Sequence, residues 1–307
     1  MHKSVLLNEA INNLNIKDGG VYVDATLGFG GHSSRILEKN KKGMLYCFDQ
    51  DDEAVSYSKE KLSKIGNNYE IIKSNFVNMT DELNKRGIKK VDGILFDLGV
   101  SSVQLDEVER GFSFHNNAKL DMRMDQTQEL SAYTVVNTYS YNDLTRILFK
   151  YGEEKYSKSI ARNIVKYREK KNIETTLELV DIIKQSMPEK AKREGHPARR
   201  TFQAIRIEVN KELDVLDSAL NQAIDLLNVE GRICVITFQS LEDKIVKSTF
   251  KKYSEVDDKI KNLPFIPEEY LPKLKVVGKS ITPSEEELKE NNRARSSRLR
   301  VAEKIKE

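Results

Sequence analysis

Val21-Tyr-Val-Asp24-Ala-Thr-Leu-Gly28-Phe-Gly30-Gly31-His32 is the stretch that decides the fold. An apolar run ends in an aspartate, passes into a glycine turn, and then into residues suited to starting a helix. Glycine has no Cβ and tolerates φ > 0, so such a turn lets a backbone approach a ligand closely. About one βαβ unit later, the apolar run Met44–Phe48 ends in Asp49-Gln50-Asp51-Asp52. In doubly wound sheets, a carboxylate at the end of the second strand holds a ribose hydroxyl. The turn alone also serves merely to join a strand to a helix; with Asp49 at this spacing it points to an adenosine ligand. A dinucleotide fingerprint needs G-x-G-x-x-G. Here Gly28 and Gly30 fit, but the third slot is Ser33 and Gly31 comes too early. The sequence has no Gly-x-x-x-x-Gly-Lys-Ser/Thr phosphate loop either. An adenosine ligand without phosphates fits better, and S-adenosylmethionine is the one expected.

Outward from that turn, the first hundred residues alternate strand and helix. Strands are expected at Val21–Asp24, Met44–Asp49, Tyr69–Lys73 and Val91–Asp97, with helices at Val5–Leu14 and at about 31–40, 51–64 and 77–86. Such alternation implies a parallel sheet covered on both faces, with ligands beyond the carboxyl ends of the strands. Asp24, Asp49, Asn75-Phe76 and Asp97 all fall at those ends. After about residue 105 the period becomes helical. Leu144, Ile147, Leu148 and Tyr151 form one apolar face, Ile160, Ile164, Val165 and Tyr167 a second, and Leu177, Val180 and Ile183 a third. The alternating pattern resumes with a helix over Val215–Leu227, a strand over Arg232–Phe238 and a helix over Leu241–Phe250, and 254–273 reads as an exposed connection. The expected organisation is an α/β sheet domain (1–105 and 211–307) interrupted by a helical insertion (106–210).

At 307 residues, with 32% charged residues and a net charge of +3, the chain can bury a sizeable core and does not read as disordered. No apolar run approaches the ~20 residues that span a bilayer, and the first residues lack a signal-peptide pattern. The two cysteines, Cys47 and Cys234, fall inside expected strands and read as core residues. The four histidines have no metal-ligand spacing. A cytoplasmic protein without structural disulfide or zinc is expected. Basic residues cluster twice: Lys192, Arg193, Arg199, Arg200 and Arg206, then Arg293, Arg295, Arg298 and Arg300. Such clusters are often solvated faces. Two of them, rich in arginine and flanking the last strands of a cofactor sheet, point instead to nucleic-acid phosphate.

Several stretches also carry a family resemblance: His2–Leu7, Asp24–Ser33, Asp92–Ser102, Gln104-Leu-Asp106, Arg110–Phe114, Leu120–Asp125, Tyr151–Glu154, His196–Arg206, Ser240–Lys244 and Asn292–Arg295. In this order they resemble the bacterial 16S rRNA (cytosine-N4)-methyltransferase family, MraW or RsmH, over nearly the whole chain. The resemblance implies a class I, Rossmann-like S-adenosylmethionine-dependent methyltransferase fold with an inserted all-α substrate domain. It also implies methylation of the N4 amine of a cytidine in the decoding centre (P site) of 16S rRNA, within the small ribosomal subunit. Carried onto this chain, it places Gly30, Gly31 and His32 at the methionine end of the cofactor, Asp49 on the ribose and Phe76 by the adenine. Asp97 and Gln104 would close the site. Arg199, Arg200, Arg293 and Arg295 are the candidate RNA contacts. No membrane partner is implied, and the oligomeric state, a homodimer included, is left open. One position departs from the family: Gln239 stands where a histidine is usual.

The cofactor's sulfonium makes its methyl group electrophilic, so the enzyme's task is mainly positioning. The cytidine N4 lone pair is conjugated with the ring, and an acceptor for an N4 hydrogen helps draw it out. Asp97 is a candidate acceptor by position, and equally a candidate cofactor contact; the Asp/Asn-Pro-Pro-aromatic signature of amino-methyltransferases is absent, since Leu98-Gly99-Val100 follows. Carbon-5 chemistry would need a cysteine nucleophile in a loop, and neither cysteine lies in one. Phe112, Phe114 and Tyr133 are candidates to stack on a splayed base, or else ordinary packing. Residues 106–125 read as a salt-bridged lid or part of the insertion. Two rivals are an NAD-dependent oxidoreductase, which Ser33 counts against, and a non-catalytic RNA-binding assembly factor, which the retained Asp24, Asp49 and Asp97 count against.

Overall fold

The computed structural model describes residues 4–100, 107–192, 195–256, 259–261 and 264–307. It divides into two compact units, one of Met1–Gly99 with Leu213–Glu307 and one of Val100–Glu212.

The first unit is built on a seven-stranded sheet of order β3-β2-β1-β4-β5-β7-β6. β1 (Val21–Asp24), β2 (Met44–Asp49), β3 (Tyr69–Lys73), β4 (Val91–Asp97) and β5 (Leu227–Thr237) run parallel. β7 (Arg298–Lys304) is antiparallel to both β5 and β6 (Leu274–Val276). Strand side chains alternate between two apolar clusters, as the two-residue period requires. Val23, Phe48, Ile94, Phe96 and Val235 join Leu83, Leu220, Ile224 and Phe250 in one; Tyr22, Leu45, Cys47, Leu95 and Cys234 join Ile11, Ile36 and Leu62 in the other. Both faces are therefore covered, by α1 (Leu7–Asn13), α2 (Gly31–Lys39) and α3 (Asp52–Ser63) on one side. The helix α4 (Met79–Lys85) shares the opposite side with two later helices, Glu212–Leu226 and Ser240–Ser254. The four early strands have the bounds that the sequence pattern predicts, and β1, β2 and β4 each end on an aspartate.

The late strands differ from expectation. β5 starts at Leu227, not Arg232, and its pairing with β4 skips from Val91↔Leu227 to Gly93↔Arg232. Residues 228–231 bulge there, with Glu230 in the left-handed region at φ 68°. β6 and β7 lie where the sequence pattern predicts no strand.

Described elements of the second unit include α5 (Ala132–Thr138), α6 (Tyr141–Gly152), α7 (Ser157–Arg168), α8 (Thr176–Gln185), α9 (Glu189–Lys192) and α10 (Arg199–Asn210). An isolated bridge pairs Lys119 with Thr175. Leu144, Ile147, Leu148 and Tyr151 are buried as expected, as are Ile160, Ile164, Val180 and Ile183. Tyr167 and Leu177 are exposed, which corrects two of the expected faces. On α8 the buried face follows Thr176, Leu179, Val180 and Ile183, the i, i+3, i+4, i+7 spacing, and Leu177 lies off it. The helices α11 (Glu212–Leu226), α12 (Ser240–Ser254) and α13 (Glu285–Glu290) complete the chain.

Candidate cofactor and acceptor site

Strand order reverses between β1 and β4, which opens a crevice beyond their carboxyl ends. The turn from β1 to α2 runs along it. Gly28 (φ 49°) and Gly30 (φ 66°) are left-handed, a conformation that costs other residues roughly 1–2 kcal/mol. A Cβ on Gly30 would sit 3.0 Å from Ser58 Oγ, so that position is tight as well as strained. Ser58 Oγ donates to Gly28 O at 2.7 Å and Lys61 Nζ to Phe29 O at 2.9 Å, which ties the turn to α3. Ser33, in the slot where a dinucleotide turn has glycine, donates to Asp24 Oδ2 at 2.6 Å. A hydrogen bond, rather than glycine's close packing, thus joins α2 to β1.

Asp49 faces the turn. Its Oδ2 accepts from Gly28 N at 2.8 Å and its Oδ1 from Asp51 N at 2.9 Å. Each oxygen keeps a second lone pair, and those can accept ribose hydroxyls. Burial raises its carboxyl to about 6, only partly offset by the amides. Phe76, just after β3, packs edge-on against Phe96 with ring centroids 5.6 Å apart. Asn75 Nδ2 donates to Gln50 Oε1 at 3.0 Å, holding the β2 and β3 ends together.

Asp97 closes β4. Its backbone N donates to Thr26 Oγ1 at 2.6 Å, which fixes it to the β1 end. Its side chain is 22% exposed, and Oδ2 lies 3.6 Å from His32 Nδ1. Oδ1 is buried and, among the described residues, has no hydrogen-bond partner. Burial first, then the charges of Asp24, Glu242 and Glu287, hold this carboxyl well above the usual range. The His32 ring is buried, with Nε2 3.2 Å from Val5 O. A carbonyl only accepts, so Nε2 carries a proton, and Nδ1 of a neutral ring faces Asp97 as an acceptor. His32 therefore backs Asp97 and offers little open surface to a ligand. Gly31 begins α2, and a Cβ there would clash with Ser4 Oγ. Gln104 lies outside the described residues.

Gln239 precedes α12, and its Nε2 donates to Glu242 Oε1 at 2.9 Å. Buried Glu242 also accepts from Phe238 N at 2.9 Å through Oε2. The sequence pattern assigns no role to Glu242 or Thr26, although both stand inside the stretches that carry the family resemblance. A carboxylate five residues past a strand end and a threonine beside a strand-end aspartate are the signals that mark them.

The arginines are distributed differently. Arg199 and Arg200 open α10 and are exposed; Arg200 Nη1 donates to Glu153 O at 3.2 Å. The alternative of an ion pair from these two to Glu208 or Glu212 is not formed. Glu212 is bidentate with Arg206 at 2.8 and 2.9 Å, and Glu208 accepts from Tyr139 OH at 3.0 Å. Arg206 is therefore an internal partner. Arg293 and Arg295 are exposed on the short turn Asn292–Ser296 of the other unit, whereas Arg300 forks onto Asp243 at 2.7 and 2.9 Å. Phe112 is buried, which makes it packing; Phe114 stacks on His196 with centroids 4.3 Å apart. Tyr133 is exposed and its hydroxyl accepts from Asn172 at 2.9 Å. Arg123 pairs with Asp121 at 2.8 Å, so the expected salt bridging within 106–125 is present.

An adenosine sulfonium fits these residues. Asp49 is held by the backbone amides of Gly28 and Asp51 and keeps lone pairs beside the glycine turn, and Asp97 Oδ1 is unpaired at the β4 end. Among the described residues no acid–histidine–cysteine group has metal-holding geometry, and no helix is long and apolar enough to cross a membrane.

Comparison with known proteins agrees with the geometry. A protein named ribosomal RNA small subunit methyltransferase H, from Exiguobacterium sibiricum, is 57% identical over 308 residues, covering 100% of this chain and 99% of that one. Among solved structures, an rRNA methylase from Streptococcus thermophilus superimposes with a TM-score of 0.45 at 12% identity, covering 100% of this chain and 99% of that one. A Streptococcus mutans protein solved in complex with SAH gives 0.47 at 13%, covering 99% and 100%. Likeness that distant assigns no role to any residue here. The sequence pattern of the MraW methylase family, by contrast, matches residues 1–305. A chain matched from end to end, with its acids at the switch point of a doubly wound sheet, belongs to the MraW methylase family and is an S-adenosylmethionine-dependent methyltransferase.

Proposed function

We propose that the protein methylates the N4 amine of a cytidine in the decoding centre of 16S rRNA, in the cytoplasm and within the small ribosomal subunit. The observation that carries the choice of an amine is the unpaired, buried Asp97 Oδ1 at the β4 end. An exocyclic amine has hydrogens to give it; a ring carbon has none. The rRNA of the small subunit is the substrate named for the Exiguobacterium relative, and the decoding-centre position comes from the family resemblance.

S-adenosylmethionine, when bound, supplies an electrophilic methyl group. Asp49 accepts the ribose hydroxyls, Gly30 and Gly31 let the backbone come close, and Phe76 packs by the adenine. Asp97 takes a hydrogen of the amine and draws its lone pair out of conjugation. The proton released passes onto Asp97, beside His32 Nδ1. Carbon-5 transfer is disfavoured because both cysteines are fully buried in strands, Cys47 raised well above an ordinary thiol and Cys234 pushed up to about 12. Residues 106–210 act as the substrate-recognition domain, with Arg199 and Arg200 on phosphate; Arg293 and Arg295 add contacts from the sheet unit. Mass analysis of small-subunit rRNA from cells lacking the chain tests the reading. One cytidine should lose one methyl group, restored by the parent gene and not by Asp49→Ala. Unchanged rRNA would overturn it.

A further inference from the structure

We propose that Gln239 Oε1 is the second acceptor for the exocyclic amine, opposite Asp97 Oδ1; this deepens the cytidine-N4 reading and rests on it. An aromatic amine carries two N–H donors. One acceptor leaves the group free to stay in plane with the ring, whereas two fix both hydrogens and leave the lone pair facing the methyl donor. Two such atoms lie at or just past the ends of β4 and β5. Asp97 Oδ1 and Gln239 Oε1 are both buried without a hydrogen bond of ordinary geometry, in a class of atom that folded proteins rarely leave unpaired.

They stand at neighbouring strand ends. Asp97 on β4 is paired with Ile236 on β5, and Leu98 N donates to Ile236 O at 3.0 Å. A Cβ on Gly99 would lie 3.5 Å from Phe238, so the two chains continue side by side past the sheet. Glu242 fixes the identity of the two ends of the Gln239 amide. A carboxylate only accepts, so its bond at 2.9 Å must come from the amide nitrogen, and the oxygen is the end without that bond. The capping box of α12 brings the Gln239 side chain towards Glu242 N, yet a carbonyl oxygen has two lone pairs and retains one for a ligand. Glutamine also suits the local charge. Asp24, Glu242 and Glu287 already bear on Asp97, and a neutral acceptor adds no further anion.

In the transfer, the amine lone pair forms the new N–C bond while the carbon–sulfur pair stays on sulfur. One N–H proton goes to Asp97, and the other hydrogen remains on nitrogen, bonded to Gln239. Histidine, usual at this position, accepts only while neutral; glutamine accepts at every pH.

The test compares Gln239→Leu, Gln239→Asn and Gln239→His. Asparagine keeps helix-capping chemistry but withdraws the oxygen by one carbon, which guards against a variant that merely misfolds. Binding of an RNA hairpin carrying the target cytidine, against the same hairpin with uridine, is measured with S-adenosylhomocysteine present, alongside kcat and KM. Leu and Asn should each reduce the preference for cytosine by roughly tenfold and lower kcat, with cofactor affinity kept; Leu should also lower the melting temperature, because buried Glu242 loses the bond from Nε2, and Asn less so. The histidine variant should restore the preference at about pH 8 and lose it at about pH 5.5, as the imidazole protonates. Folded Leu and Asn variants with the parent's preference and kcat overturn the proposal. A parent enzyme that leaves cytidine N4 unmethylated overturns the cytidine reading itself, together with what rests on it.

Discussion

Asp24, Asp49 and Asp97 are all carboxylates at strand ends, yet their surroundings differ. Asp49 receives two backbone amides and keeps lone pairs towards the turn. Asp49→Ala should therefore weaken S-adenosylmethionine binding by about 1.5–3 kcal/mol, the scale of a charged hydrogen bond. Unchanged affinity by calorimetry, with the fold intact, would remove it from the ribose. Asp24 is turned inward to Ser33 and is fully buried, which raises its carboxyl from 3.8 to about 6. A folded value above the unfolded one means its contribution to stability is complete below about pH 4 and is lost as pH rises through about 6. A shift of that size corresponds to about 3 kcal/mol. Asp24→Asn should accordingly stabilise the free protein against urea at about pH 8 and change little at about pH 4. Equal effects at both would show that Asp24 is not charged at a cost. Asp97 is raised further by burial and three neighbouring acids. If its ionised form accepts the proton, kcat should rise with pH through its pKa, and Asp97→Asn should abolish that limb. These acids were legible because strand ends are visible in an apolar run that stops at a carboxylate. Their different environments were not, since Ser33, Thr26 and Glu242 act through contacts that only the fold brings about.

The glycine turn is the element most open to a direct test. Gly30 combines φ 66° with a 3.0 Å limit at Ser58 Oγ. Gly30→Ala should cost roughly 1–2 kcal/mol of folding stability from backbone conformation alone, and more in cofactor affinity, because the turn must shift from α3. A variant that melts and binds as the parent does would show the turn to be pliant. The four strands flanking this turn were legible from periodicity, because their apolar runs are bounded by polar turns; β1, β2 and β4 are mostly buried, and β3, at the sheet edge, is only part-buried. β7 was not. Its arginines read as a nucleic-acid patch, but Leu299, Val301 and Ala302 are core residues and Arg300 is clamped by Asp243. A strand that returns antiparallel at the far end of the chain has no local crossover to announce it, and β6 spans only three residues. Arg206 misled in the same way: its charge is visible in sequence, its fork onto Glu212 is not.

On the scale of the whole chain, a net charge of +3 over 307 residues gives little long-range attraction for RNA, so affinity must come from local clusters. The period changes from alternating to helical after about residue 105, and the stretch 106–210 that this change marks off carries one of them; the compact unit runs from Val100 to Glu212. Arg199 and Arg200 are the cations to test there. They begin α10 one residue after His196-Pro197, a dipeptide that resists helix before it, and both side chains are exposed. Their nearest rivals for a structural role are gone, since Glu212 is held by Arg206 and Glu208 by Tyr139. Arg200 spends one donor on Glu153 O, which leaves four of its five N–H groups for phosphate. Replacing both with glutamine should weaken rRNA binding and flatten its dependence on salt. Each phosphate that an arginine neutralises adds roughly 0.7–0.9 to the slope of log affinity against log salt, so the double variant should be shallower by up to about two units. Melting temperature and S-adenosylmethionine affinity should stay near the parent's, because neither side chain supports the sheet unit's turn or its acids. Titration of one protein preparation over a series of salt concentrations reads the slope directly. A double variant that melts early yet keeps the parent's slope would make the two arginines structural, and the phosphate-binding cations would then have to be sought at Arg293 and Arg295.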